Sequence, residues 1–188
     1  VASVLFKAEQ MGIPLVPGSA EAKTIIDRIK TLENDGYQFE GADASFRLLV
    51  EKTRKNHRRF FELEGFRTSV EHRGSAVVSE ATIKVRIHDQ LVHTAAEGDG
   101  PVNALDNAMR KALEPLYPSL RKMHLVDYKV RVLDSRAGTD AKVRVFIESQ
   151  DDRHAWSTVG VSTNIIEASW EALVDAVEYK LMMERGWR

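Results

Sequence analysis

The chain has 188 residues, 43% of them hydrophobic, which allows one large domain or a compact domain with a helical appendage and excludes wholesale disorder. Its 27 Lys and Arg nearly cancel 28 Asp and Glu, so no long-range field selects a nucleic acid or an anionic membrane, and zero cysteines exclude disulfides and thiolate metal sites. No run approaches the roughly eighteen apolar residues of a membrane span, and no signal-peptide pattern is present, as expected of a cytoplasmic protein.

The chain opens at Val1 already in helical phase and without a start methionine, as a fragment of a longer protein would. Residues 1–11 place Val4, Leu5, Ala8 and Met11 on one helical face, and Pro14 and Pro17 end that helix. Ser19 is the expected N-cap of a second helix, with Ile25, Ile26, Ile29 and Leu32 as its stripe and Gly36 as its stop. A Gly-bounded hinge, 36–41, leads to a third helix carrying Phe46, Leu49 and Val50, which runs into a basic stretch at 52–59 read as a solvated helix end. Nothing before residue 60 reads as a strand.

From Phe66 the period changes to two. Phe66, Thr68 and Val70 alternate with Arg67, Ser69 and Glu71, and Ile83, Val85 and Ile87 alternate with Lys84 and Arg86. His88-Asp89-Gln90 reads as a tight turn into a strand from Leu91 to Ala96, followed by a helix over 101–116. After Pro118, Tyr128, Val130 and Val132 face one way and Lys129 and Arg131 the other. Val143, Val145 and Ile147 follow, then a polar hairpin near 150–153, then Trp156, Thr158, Gly160 and a last helix over 165–183. Phe146, on the polar face of its strand, and Trp156 are read together as the mark of a buried partner face.

The second half repeats the first. At a spacing of 64, Thr94 falls on Thr158, Ala104 on Ala168, Ala108 on Ala172 and Ala112 on Ala176. Ala81–Ile87 is matched to Ala141–Ile147, and Phe66 … Val70 to Tyr128 … Val132. Two three-strand-plus-helix units are expected, giving an α+β fold of six antiparallel strands and two helices behind a helical segment.

The stretch Gly98-Asp99-Gly100-Pro101 opens the first repeated helix, with Pro101 at its first turn. It lacks the third glycine of a dinucleotide fingerprint, since position 103 is asparagine, and it follows an antiparallel strand. The two copies differ at the cap. Asn164, with Glu167 three residues on, caps the second helix in the manner of a capping box. Gly100 offers no side-chain oxygen at the matching position. The first-turn N–H groups there are freer for an external anion, and Asp99 beside them either caps the helix or attracts an ammonium group. Such a pair of seats suits a zwitterion. The six histidines (57, 72, 88, 93, 124, 154) show no metal-ligand spacing. There is no Gly-x-Ser-x-Gly, and Ser162 lies in the approach to a helix cap, where serine is ordinary. A helix–three strands–helix reading of 19–116 also fits a double-stranded-RNA-binding module, but Pro101-Val-Asn-Ala-Leu-Asp-Asn stands where that module needs lysines.

Four ordered stretches resemble the carboxy-terminal half of the α-isopropylmalate synthase family, with its citramalate synthase branch the nearer. They are Gly36–Phe46, Glu97–Leu105, Asp127–Val132 and Trp156–Ser169. The resemblance implies a helical linker over residues 1–62 and a regulatory domain over 63–188, its units at 63–117 and 122–188. It also implies a homodimer and a branched-chain amino-acid effector, isoleucine or leucine, acting as feedback inhibitor. By the same resemblance the effector pocket takes Gly98, Asp99, Gly100, Val102 and Asn103 from the first unit, and Leu125, Tyr128, Val132, Ala141 and Ile165 from the second. The family condenses acetyl-CoA with a 2-oxo acid on a metal-dependent TIM barrel that this chain lacks. No catalytic residue, metal or cofactor is therefore expected here, and the fragment alone is expected to be inactive. Nucleic acid and membrane are not expected as partners.

Overall fold

The computed structural model describes residues 2–54 and 57–186; Val1 of the first helix and Lys55 and Asn56 of the basic stretch lie outside them. Three helices come first: α1 (Ala2–Gln10), α2 (Ala20–Asn34) and α3 (Asp43–Thr53). Ser19 caps α2 as expected, its hydroxyl accepting the Ala22 N–H at 3.1 Å. Then come β1 (Glu62–Arg73), β2 (Ala76–Ile87), β3 (Gln90–Gly98) and α4 (Pro101–Leu113). A second such unit follows: β4 (His124–Val132), β5 (Val143–Gln150), β6 (Ala155–Ser162) and α5 (Ile165–Arg185). The first three strands form sheet A in the order β1-β2-β3, and the last three form sheet B in the order β4-β5-β6, all antiparallel. The fold is α+β, two βββα units behind three helices.

The β2–β3 turn is the two-residue hairpin the sequence indicates. Ile87 pairs with Gln90, and His88 and Asp89 both take positive φ, 48° and 66°, the backbone that matches the twist of the flanking strands. Strand β1 begins at Glu62, four residues before the alternation becomes visible. The cause is a bulge between Leu63 and Gly65, which puts Leu63 opposite Val85 and Phe66 opposite Ile83 and so hides the period. Strand β4 carries the same bulge between Leu125 and Asp127.

The registers also correct one part of the repeat. Phe66 opposes Ile83, which opposes Thr94; Tyr128 opposes Ile147, which opposes Thr158. Ile83 and Ile147 are therefore the equivalent residues, not Ile87 and Ile147. The sequence match of Ala81–Ile87 to Ala141–Ile147 is four residues out of step, because alternation of period two is unchanged by an even-numbered slip.

Each sheet buries one face under the paired helices. Ile83, Val85, Ile87, Val145 and Ile147 meet Leu105, Met109, Leu113, Leu173 and Val177 in one continuous core. The other face of sheet B is covered by the helical segment: Phe146 and Val159 join Ile25, Ile29, Phe39, Phe46, Leu49 and Val50 in a second core. This overturns the reading of Phe146 and Trp156 as one partner face. Phe146 packs on the segment's helices, whereas Trp156 lies on the opposite side of the sheet and donates its indole N–H to the Ala176 carbonyl at 3.0 Å. Both are satisfied within the chain.

The edge strand β6 is closed in the same way. The Val159 N–H donates to Ser45 Oγ at 3.0 Å and the Val161 N–H to Glu171 Oε2 at 3.2 Å. On β3, Asn107 and Lys111 of α4 reach the carbonyls of Glu97 (3.0 Å) and Ala95 (3.1 Å). The seam between α3 and α5 is polar. Ser45 donates to Asp175 at 2.8 Å, Lys52 pairs with Asp175 at 3.4 Å and with Glu178 at 2.7 Å, and the Tyr37 hydroxyl bonds Glu171. Burial raises the pKa of Tyr37 and of Glu171.

Candidate functional site

Helix α4 starts where β3 ends, and Gly98 makes that junction possible. A Cβ at Gly98 would stand 2.4 Å from the Ala104 nitrogen and 2.8 Å from its Cα, so only glycine lets the strand end run this close to the helix. Gly100 is the N-cap, extended at φ −159°, and no side chain caps the helix. Its first hydrogen bond runs from the Ala104 N–H to the Gly100 carbonyl at 2.9 Å, and Pro101 has no N–H. The N–H groups of Val102 and Asn103 therefore face the helix mouth without a capping oxygen. At the matching position on α5, Asn164 Oδ1 accepts from Ile166 at 2.9 Å and from Glu167 at 3.3 Å. The reciprocal half of the expected capping box is made differently: Ser162, not Glu167, accepts the Asn164 N–H, at 3.0 Å.

Asn103 folds its side chain back over the strand end. Its Oδ1 accepts the Asp99 N–H at 3.0 Å and the Asn107 amide at 3.4 Å. The Asp99 carboxylate makes no cap bond and is exposed. Gly98, Asp99, Gly100, Val102 and Asn103 thus form one cluster. Asn107, which ties it to Glu97, was not singled out from the sequence; its spacing of four from Asn103 on the same helix face was the available signal.

The second group gathers at the start of α5. The Tyr128 hydroxyl and Ser169 Oγ are 2.7 Å apart, and Ser169 also donates to the Ile165 carbonyl at 2.7 Å, so Ser169 joins the two predicted residues. Ser169 was missed because a serine inside an alanine-rich helix carries no sequence signal of its own. Val132 pairs with Val143 at the same end of sheet B and is half exposed, as is Ile165. Ala141, buried, is the C-cap of a short 3-10 stretch, Ser135–Asp140, kinked at Gly138 ahead of β5. Leu125 packs against the main core beside the bulge. Among the described residues, no hydrogen bond or ion pair joins the Gly98–Asn103 cluster to the Tyr128–Ile165 group.

Apart from Leu125, which pairs with Ser149 near the β5–β6 turn, both groups lie toward the open ends of their units. Val70 opposes Ser79, which opposes Gly98, and Val132 opposes Val143, which opposes Ser162. On the helix-side faces there, Val70 (57%), Val77 (60%), Val130 (40%), Val132 (50%) and Ile165 (43%) keep large exposed fractions. For sheet A the reason is length. Thirteen residues of α4 reach about 20 Å, whereas the twelve of β1 reach about 40 Å, so the helix cannot cover the far end.

Among the described residues no helix is long and apolar enough to cross a membrane, and no three His, Cys, Asp or Glu converge as a metal site. The family model of the LeuA allosteric (dimerisation) domain matches residues 40–181. The chain is 52% identical over 181 residues to the (R)-citramalate synthase of Geobacter sulfurreducens and 46% identical over 184 residues to that of Aquifex aeolicus. Those matches cover 95% and 97% of this chain but 34% and 35% of the relatives, so the chain spans about a third of their length. The 2-isopropylmalate synthase of Bacillus licheniformis is more distant, 27% identical over 182 residues, 95% of this chain and 32% of that protein. The chain belongs to the LeuA allosteric (dimerisation) domain family, as a citramalate synthase-like member.

Proposed function

We propose that this domain is the regulatory part of a citramalate synthase-like acyltransferase, that it dimerises, and that it binds a branched-chain amino acid, isoleucine before leucine, as feedback inhibitor. The observation that carries the effector reading is the contrast between the two helix starts. Asn164 occupies the N–H groups of α5, while those of α4 face outward past Gly100. An amino-acid carboxylate accepts such N–H groups and gains from the helix dipole, and the Asp99 carboxylate supplies the seat for the ammonium. Tyr128, Val132 and Ile165 offer apolar surface for a branched side chain, with Ala141 beside them, while Leu125 lies toward the other end of the strand. Because the two groups sit at the open ends of separate units, a dimer that stacks those ends encloses the ligand, which links occupancy to one arrangement of the pair.

The condensation itself would belong to the part of the relatives that this chain does not span. The divalent metal and acetyl-CoA of that reaction would be held there too.

Thermal unfolding tests the reading. Isoleucine at 100 times its Kd stabilises the fold by about 2.7 kcal/mol, a shift of roughly 5–10 °C for a chain of this size. Asp99→Ala and Val132→Ser, both at exposed side chains, are expected to reduce that shift while leaving the apo melting point within about 2 °C. If neither isoleucine nor leucine moves the melting point at millimolar concentration, the effector role is wrong.

A further inference from the structure

The two sheets treat their outer faces differently. In sheet B that face carries Phe146 into the α1–α3 core. The equivalent position in sheet A, one residue before Ile83 as Phe146 is before Ile147, is Thr82. No helix covers it. Around Thr82 lies a concavity of about 540 Å³ lined by Glu64, Gly65, Arg67, Thr82, Lys84 and His93.

Register places the basic groups across all three strands. Arg67 on β1 opposes Thr82 on β2, and Lys84 on β2 opposes His93 on β3. Lys84 and His93, directly opposed, stand on the order of 5 Å apart, and Arg67 and Lys84, diagonal to one another, on the order of 7–8 Å, a span that two long side chains close on one small ligand. The floor is low because Gly65 opposes Lys84 and Ala95 opposes Thr82. The one acid of the lining, Glu64, is engaged by Arg86, whose Nε donates to it at 2.8 Å. Among the described residues the side chains of Arg67, Lys84 and His93 make no hydrogen bond or ion pair, whereas nearby Arg59 and Arg73 pair with Glu62 and Glu71.

We propose that this outer concavity of sheet A binds a small oxyanion carrying two negative charges, a dicarboxylate or a phosphate monoester, between Arg67 and Lys84. The Thr82 hydroxyl and the His93 ring supply hydrogen bonds. Arg67 takes two oxygens of one end through its planar fork, and Lys84 answers the second charge as a point cation. The site shares no residue with the Gly98–Asn103 cluster or with Tyr128 and Ile165. It can therefore stand or fall apart from the effector reading.

Amide and side-chain NMR of the whole chain at fixed ionic strength tests it, with inorganic phosphate and malonate as probes and chloride as the control. Expected are saturable, millimolar shifts at Gly65, Arg67, Thr82, Lys84 and His93. The double variant Arg67→Ala/Lys84→Ala should weaken them about tenfold, as loss of charge-assisted contacts requires. Both substituted side chains are exposed, so the melting point holds and reports that the fold is intact. A response to phosphate alone assigns phosphate esters, to malonate alone dicarboxylates, and to both the shared charge; each upholds the site. Shifts no larger than those of chloride, or shifts that survive the double variant, overturn it.

Discussion

Thr94 and Thr158 stand 64 residues apart and make the same contact. Thr94 donates its hydroxyl to the Ala108 carbonyl at 2.8 Å, and Thr158 donates to the Ala172 carbonyl at 2.7 Å, each tying the third strand of its unit to the helix that follows. The acceptors are themselves 64 apart, and with Ala104 and Ala168 they are fully buried. Small side chains at these positions let each helix lie close enough to its strand for a threonine hydroxyl to reach helix backbone.

That repeat makes a graded prediction. Thr158 is fully buried and Thr94 only partly so. Replacement by valine keeps the shape and removes the donor, which costs about 0.5–1.5 kcal/mol, with Thr158→Val at the upper end. Urea unfolding of the two variants checks this. Equal costs, or a larger one at Thr94, would show that burial does not set the contribution.

What the sequence made legible follows from which signals are local. The Ser19 and Asn164 caps, the His88-Asp89 hairpin and the helix stripes depend on neighbours within a few residues, and each appears in the structure. The bulges at Leu63/Gly65 and Leu125/Asp127 hide strand starts because they break the very alternation that reveals a strand. The four-residue slip between repeats went unseen because alternation is blind to it. The placement of α1–α3 over sheet B was out of reach for another reason. Apolar stripes at Ile25, Ile29, Phe46 and Leu49 say that a helix buries a face but not against what. At the candidate site the glycine cap was readable. The back-folded Asn103 and the Ser169 link between Tyr128 and Ile165 were not, since both rest on side-chain contacts set by tertiary packing.

The glycines at the strand–helix junctions separate close approach from mere presence. A Cβ at Gly160 would lie 2.0 Å from the Ala168 carbonyl oxygen, and one at Gly98 would lie 2.4 Å from the Ala104 nitrogen, both backbone atoms that cannot turn aside. Gly160→Ala and Gly98→Ala should each destabilise by about 1–3 kcal/mol through overpacking. Gly100→Asn meets open space and adds a cap, worth a few tenths of a kcal/mol, while competing with a bound carboxylate. Calorimetry with isoleucine distinguishes these: Gly100→Asn holds its apo stability and loses affinity. A Gly100→Asn domain that binds isoleucine unchanged would remove the carboxylate seat.

The exposed valines predict where the proposed dimer closes. Val70→Asp with Val132→Asp puts charge on the uncovered ends of both sheets, where neither side chain supports the monomer core. Sedimentation should move from about twice the 21.2 kDa chain mass to the monomer, with the circular-dichroism spectrum kept. A variant that stays dimeric places the interface elsewhere.

Asp175 gives the α3–α5 seam a pH dependence of definite sign. Its side chain keeps 22% of its surface, yet the carboxylate lies among Lys52, Ser45 and Glu178, and burial drives its pKa up from 3.8 to about 6. A carboxyl whose folded pKa is raised takes up its proton in the folded state first. Stability therefore rises as pH falls through about 6 toward 4, and ionisation opposes folding above that window. Asp175→Asn can still accept the Ser45 hydroxyl but has no proton to take up. Between pH 7 and 5 the parent chain should gain about 1 kcal/mol relative to this variant in urea unfolding. Burial and Lys52 lower the pKa of His57, which adds a pH dependence of its own, so the comparison is with the variant and not with the absolute curve. Lys52→Met sharpens the test. Without the ammonium, Asp175 and Glu178 are left as neighbouring buried acids, so the variant is destabilised most at pH 7 and recovers as the pH falls. Parallel stability curves for the parent, Asp175→Asn and Lys52→Met would mean that the seam does not titrate and that its contribution is packing alone.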